Sequence, residues 1–154
     1  MDGKARGSSL TASFKILLLS AEIAPFAKVG GLADVAGSLP KALRALGHDV
    51  RVAMPRYARI DAMHFNLQKH MDAFPVPLDR HHDDATILEG KLGADVPAYF
   101  IDNQKFFDRD GIYMYPDDAE RFIFFARAAL EMCKRLNFQP DLIHCHDWHT
   151  ALVP

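Results

Sequence analysis

Cysteine is scarce in this chain: Cys133 and Cys145 are the two in 154 residues. They share no framework spacing, which excludes a fold stapled by disulfides and fits reduced thiols in a reducing compartment. A positive excess is missing too. The formal net charge is −2, far from the basic balance of a nucleic-acid binder, so nucleic acid is not an expected partner. No apolar run approaches the roughly 18 residues needed to cross a bilayer, and no membrane is expected as a partner. The apolar stretch from Lys15 is broken by Glu22, and its run of about five residues falls short of the roughly seven to fifteen in the core of an export signal. Repeats and low-complexity tracts are also missing. What remains is an ordinary globular composition, 49% hydrophobic and 25% charged, on a chain long enough to bury one sizeable core.

Residues 1–13 include Gly3, Gly7, Ser8 and Ser9 and little that is large and apolar, which predicts a disordered tail. Residues 14–20 then form a continuous apolar run, as a central strand of a parallel sheet covered on both faces requires. After a loop with Pro25, Gly30 and Gly31, the apolar positions Leu32, Val35, Ala36, Leu39, Leu43 and Leu46 recur at helical spacing. Gly47 stands where the C-cap of that helix would be. Pro40 lies inside the helix and removes one backbone bond, which predicts a kink or break near Ser38. Residues 49–54 read as a second strand closed by Pro55, completing a βαβ unit.

Farther along, 86–90 and 96–101 read as strands on either side of a turn at Gly93, and Asp117 or Asp118 caps a helix reaching Leu136. Residues 140–145 read as another buried strand. His81, His82, Asp83 and Asp84 read as a solvated loop. The expected fold class is α/β: a Rossmann-like parallel sheet with flanking helices over residues 14–154.

In such a sheet ligands bind beyond the carboxyl ends of the strands. Two loops leave those ends with unusual residues. The first runs from Glu22 to Leu32. Gly30 and Gly31 would let backbone approach a ligand, the amides of the following helix N-terminus favour an anion, and Lys28 adds a full charge. The alternative is a tight turn beside a solvated lysine, and the position between strand and helix favours a phosphate. Asp34, in the first helical turn, is either a dipole-compatible residue or a contact to a sugar hydroxyl.

The second loop is His144-Cys145-His146-Asp147-Trp148-His149. It supplies every zinc ligand type, but strand alternation divides His144 and His146 from Cys145 and no second ligand pair follows, so a metal is not expected. A sugar site accounts for the loop better: Asp147 can bond hydroxyls, His149 can donate or accept, and Trp148 offers an apolar face to a pyranose ring. A buried tryptophan among satisfied histidines is the plainer alternative. No serine lies in a nucleophile elbow, and Cys145 has no evident base.

Lys28-Val29-Gly30-Gly31-Leu32-Ala33-Asp34-Val35, followed by Gly37 to Leu43 and Gly47 to Val52, resembles the start of the bacterial glycogen synthases and plant starch synthases, including their Lys-x-Gly-Gly signature. The second loop is similar to another signature of that family. Asp108 to Tyr113 and Glu120-Arg121-Phe122 match a third more loosely, with Asp118 where an asparagine is more usual. The resemblance covers most of the chain from Phe14 onward.

It implies a GT-B glycosyltransferase of two Rossmann-like domains that transfers glucose from ADP-glucose to an α-1,4-glucan with retention, without metal or cofactor, in a bacterial cytoplasm. Carried over, Lys28, Gly30 and Gly31 would contact the donor's phosphates. Glu22, Asp34, Tyr113, Asp147, Trp148 and His149 would line the glucose and acceptor side, with Asp147 and His149 the catalytic candidates. Residues 14–154 would then be the first part of the N-terminal domain, without the nucleotide-binding domain, and inactive alone. A non-catalytic flavodoxin-like module for a phosphorylated ligand or glucan, and a UDP-glucose-dependent transferase, are the rival readings.

Overall fold

Four short parallel strands form one half of the sheet, and the carboxyl ends of two of them carry the loops singled out above. The computed structural model describes residues 12–154, so the expected tail at 1–13 falls almost wholly outside the described residues. Ser13, at its end, is described and donates from Oγ to the Gly47 carbonyl (2.8 Å). The element order is β1 (Lys15–Leu19), α1 (Gly31–Ala45), β2 (Asp49–Pro55), β3 (Gln68–Leu78), β4 (His81–Leu92), β5 (Val96–Asp102), α2 (Gln104–Phe107), α3 (Asp118–Arg135) and β6 (Leu142–Cys145), followed by a 3₁₀ turn at Trp148–Thr150.

The six strands among the described residues form one sheet in the order β3-β4-β5-β2-β1-β6. The pairings β1–β2, β1–β6 and β2–β5 are parallel, whereas β3–β4 and β4–β5 are antiparallel. The α/β class therefore holds, with an antiparallel hairpin added to the parallel half. β1 is the most enclosed strand: Leu17, Leu18 and Leu19 have no exposed surface, as a strand flanked on both edges and covered on both faces must. α3 contributes Phe122, Phe124, Phe125, Ala128, Ala129 and Met132 to the same core.

Three local expectations change. α1 runs through Pro40, whose ring is buried, without the expected break near Ser38. The polar run His81–Asp84 opens strand β4 rather than a loop, with Asp83 paired to Val76 and Asp84 to Pro75. β6 is half-buried rather than buried, Leu142 being 50% exposed, because it pairs with β1 alone. Among the described residues no helix is long and apolar enough to cross a membrane.

Candidate functional site

The loop after β1 is fixed from behind before it reaches its functional residues. Tyr57 donates its hydroxyl proton to the Ala21 carbonyl (2.7 Å) and Ser20 Oγ donates to the Glu22 carbonyl (2.7 Å). The chain then turns back tightly, Phe26 and Ala27 both donating to the Ile23 carbonyl, and the Ala24 amide donates to Ala33 of α1. This geometry turns the Glu22 side chain inward, where the residue is 4% exposed.

The Glu22 carboxylate holds the loop together. Its Oε2 accepts from the Val29 amide (2.6 Å) and the Gly30 amide (3.1 Å), while Oε1 accepts from the Tyr113 hydroxyl (2.9 Å). The Gly30 amide, expected to be free for a ligand, is thus occupied within the chain. Burial first, and then the bond it donates to Glu22, push the Tyr113 hydroxyl well above the ordinary tyrosine value.

Lys28 and Asp34 meet at the surface. Lys28 Nζ donates to both Asp34 oxygens at 2.7 Å, and both side chains are more than half exposed. An exposed pair of this kind is worth little and can open at small cost. Gly30 has extended backbone angles (φ −139°, ψ −162°), and no side chain among the described residues caps the amides of α1. A Cβ added at Gly30 or at Gly31 would meet no atom within 4 Å. Neither backbone conformation nor internal packing therefore demands glycine at either position, and the space in front of them is open.

Beyond β6 the second loop assembles its residues. Asp147 has φ 63° and ψ −178°, a region reserved in practice for glycine that costs of order 1–3 kcal/mol. It is held there by its own side chain, whose Oδ1 accepts from the Trp148 amide (2.6 Å), and by Thr150 Oγ1 donating to its carbonyl (3.2 Å). Such an outlier, kept by surrounding structure, points toward a functional position. His149 is 6% exposed and its ring stacks on Tyr113 (4.8 Å between centroids) and lies 4.2 Å from Trp148. Trp148 is 53% exposed among the described residues.

Phe122 stands edge-on beneath both rings, 5.4 Å from Trp148 and 4.7 Å from His149. His144 and His146 stack face to face at 4.4 Å. Among the described residues no group of three or more His, Cys, Asp or Glu is placed to hold a metal ion. A hollow of about 440 Å³ against Phe65, His70 and Glu89 contains none of these residues.

The nine residues singled out therefore fall into two groups, Lys28–Gly30–Gly31–Asp34 and Tyr113–Asp147–Trp148–His149, with Glu22 bonded to both. Arg121 and Phe122 also belong to the site, and within the Glu120-Arg121-Phe122 motif no local sequence signal marks either one. Arg121, with no exposed surface, donates from Nε to Phe106 O (2.7 Å) and from Nη1 to Ile112 O (2.8 Å) and Asp118 Oδ1 (2.6 Å). It thereby fixes the loop that carries Tyr113.

Burial lowers the pKa of His149, against the opposing pull of Asp147, Glu22 and Asp118; burial and then the neighbouring His144 lower that of His146. The folded state therefore binds fewer protons than the unfolded chain once pH falls below the ordinary histidine value of about 6.5. Stability contributed by these two groups is complete above that pH and is lost as pH falls through it. The urea midpoint is expected to drop between pH 7.5 and pH 5.5, and to drop less in a His146→Gln/His149→Gln double variant. Equal drops in the two proteins would refute this origin.

The sequence model of a family described as starch synthase catalytic domain matches residues 15–154. Among curated proteins, the glycogen synthase of Moorella thermoacetica is 56% identical over 142 residues, covering 91% of this chain and 28% of that protein. Glycogen synthase 1 of Geobacter metallireducens is 46% identical over 147 residues, covering 91% and 29%. Among solved structures, the catalytic domain of starch synthase IV from Arabidopsis thaliana, bound to ADP and acarbose, superposes with a TM-score of 0.86 at 38% identity, covering 92% of this chain and 29% of that one. The chain thus spans 28–30% of the length of the curated relatives it matches.

Proposed function

This chain belongs to the starch synthase catalytic domain family, and on that footing we propose that it forms the N-terminal part of a glycogen (starch) synthase. In this reading the whole protein is a hexosyltransferase that moves glucose from ADP-glucose to the non-reducing end of an α-1,4-glucan with retention of configuration. A second Rossmann-like domain would supply most of the nucleotide site across a cleft, in the manner of GT-B enzymes.

The observation that carries the reading is the open space at Gly30 and Gly31. An added Cβ there meets nothing within 4 Å, so the glycines make sense as room for something that binds. Beside that space lie the uncapped amides of α1, where the helix dipole favours an anion. Lys28 is parked on Asp34 through a weak surface pair and can swing onto a diphosphate. As the glycosidic bond to the donor breaks, negative charge grows on the departing ADP, and donors already aimed at that charge stabilise it.

The second group suits the sugar side. Trp148 presents an exposed apolar face of the kind that packs on a pyranose, and Asp147 and His149 offer an acceptor and a neutral imidazole within the same turn. Asp34, once released by Lys28, is free to accept from a sugar hydroxyl. A nucleotide sugar and a glucan are thus the partners this reading assigns to the two groups.

Lys28→Gln in the full-length protein tests the assignment. Losing a charge-assisted contact of about 1.5 kcal/mol or more is expected to weaken ADP binding by about tenfold and to lower turnover with ADP-glucose, while glucan affinity stays near its original value. Competition between ADP and UDP in the same titration reads out the donor. Unchanged ADP affinity and turnover would remove phosphate binding from this loop.

A further inference from the structure

Two of the loops that carry candidate residues are bonded to one buried carboxylate, and the third stacks on one of them. Glu22 Oε2 holds the Val29 and Gly30 amides, immediately beside Lys28, and its Oε1 holds the hydroxyl of Tyr113, 91 residues away in sequence. Tyr113 in turn is the stacking partner of His149, which lies against Trp148. Two successive amides converging on one oxygen form the kind of small anion cradle that glycine loops offer to phosphates. Here the chain's own carboxylate fills it.

We propose that Glu22 is a positioning residue that couples the donor loop to the sugar-side ring wall, rather than a ligand of the sugar. The inference rests on the reading of Lys28 to Gly31 as the donor side and of Tyr113, Trp148 and His149 as the sugar side. A carboxylate has about four acceptor positions; three of Glu22's are used within the chain, and the residue is 4% exposed, which leaves a sugar hydroxyl little to reach. Its contribution is instead geometric. With Val29 and Gly30 anchored from inside, an incoming diphosphate meets the first-turn amides of α1 and the Lys28 ammonium at a fixed distance from β1. With Tyr113 anchored on the other oxygen, the stacked His149 and Trp148 keep their place relative to that same point.

This arrangement makes a prediction that neither a sugar ligand nor a merely structural residue makes. Removing one hydroxyl on the sugar side should weaken binding on the donor side. Tyr113→Phe keeps the ring and its stacking and deletes only the bond to Glu22. In the full-length protein it is expected to weaken ADP binding about threefold or more by calorimetry, alongside a raised KM for maltooligosaccharide. Glu22→Ala is expected to weaken ADP binding and raise the acceptor KM by about tenfold each. The double variant should be no worse than Glu22→Ala alone, because both substitutions break the same link. Glu22→Gln should recover most of the loss, since its oxygen can accept from the amides while its NH₂ donates to the tyrosine oxygen.

If Tyr113→Phe leaves ADP affinity within twofold of the parent, the coupling is refuted. The same holds if Glu22→Ala changes only the maltooligosaccharide KM, which would make Glu22 a sugar ligand. Should Glu22→Ala fail to fold, Tyr113→Phe decides the matter alone. Lys28→Gln serves as the separate control: unchanged ADP affinity in that variant would sink the donor-loop reading itself, whatever the Glu22 and Tyr113 variants do.

Discussion

Replacing Arg121 with methionine is expected to destabilise the fold by about 3–5 kcal/mol, the range for breaking a buried ion pair from one side. The residue has no exposed surface, so its charge is tolerated only because its partners are in place. Arg121 bonds the carbonyls of Phe106 and Ile112 and the Asp118 carboxylate, and its guanidinium lies 4.9 Å from the Tyr115 ring and 5.4 Å from that of Phe122.

Methionine would fill much of the volume while leaving two carbonyls and one carboxylate without their donor. Asp118 keeps one contact, the Met114 amide (2.8 Å), which does not neutralise its charge. Against a total stability of roughly 5–15 kcal/mol for a domain, the loss should be visible as a large fall in the urea midpoint. Adding Asp118→Asn should recover part of it, because the uncompensated charge is then gone while an oxygen remains for the Met114 amide. A change under about 1 kcal/mol in the single variant would show that Arg121 is not the tie between α2, the Tyr113 loop and α3.

That tie also marks how far sequence reading reaches. β1, β2 and β5 were legible because strands buried on both faces must be nearly all apolar, and α1 and α3 because one face of each follows the helical period. Of the β3–β4 hairpin, only the 86–90 part of β4 was legible. β3 is a sheet edge on which Phe74 and Val76 are the buried positions, and it contains Pro75 and Pro77, which an edge strand tolerates and a central one does not. Its partner begins with the polar run from His81, so the local pattern resembles a loop.

The site divides in the same way. Lys28, the paired glycines, Asp147 and Trp148 stand out because their residue types are unusual at strand ends. The Lys28–Asp34 pair, six residues apart, and the capture of the Gly30 amide by Glu22, eight residues away, depend on how the loop closes. The Glu22–Tyr113 bond depends on the whole sheet bringing two distant loops together, and no local period encodes it. Arg121 stands in the Glu120-Arg121-Phe122 motif, yet only its complete burial shows that it organises a loop rather than meeting solvent.

The second large effect is expected from Gly37→Val. Glycine in a helix interior is ordinarily a weakness, and a substitution to alanine would gain about 1 kcal/mol. At this position packing overrides propensity. A Cβ built on Gly37 lies 2.5 Å from the Ala24 carbonyl oxygen and 3.3 Å from its carbon, backbone atoms with no flexible end to swing aside. Ala24 is also bonded to α1 through its amide and the Ala33 carbonyl (3.0 Å), so relief requires helix and loop to part.

Valine adds β-branched bulk at the same point, and overpacking of this kind costs about 1–3 kcal/mol or more. The loop that would move carries Glu22 and Lys28, so the loss should not be confined to stability. ADP binding by the full-length protein is expected to fall together with the urea midpoint. Gly31→Ala, where an added Cβ meets nothing within 4 Å, should leave the midpoint nearly unchanged while still weakening ADP binding by taking up the ligand's room. Gly37→Val at parental stability would mean that α1 and the loop are not in contact as described. Gly31→Ala with undiminished ADP affinity would mean that the open space serves no ligand.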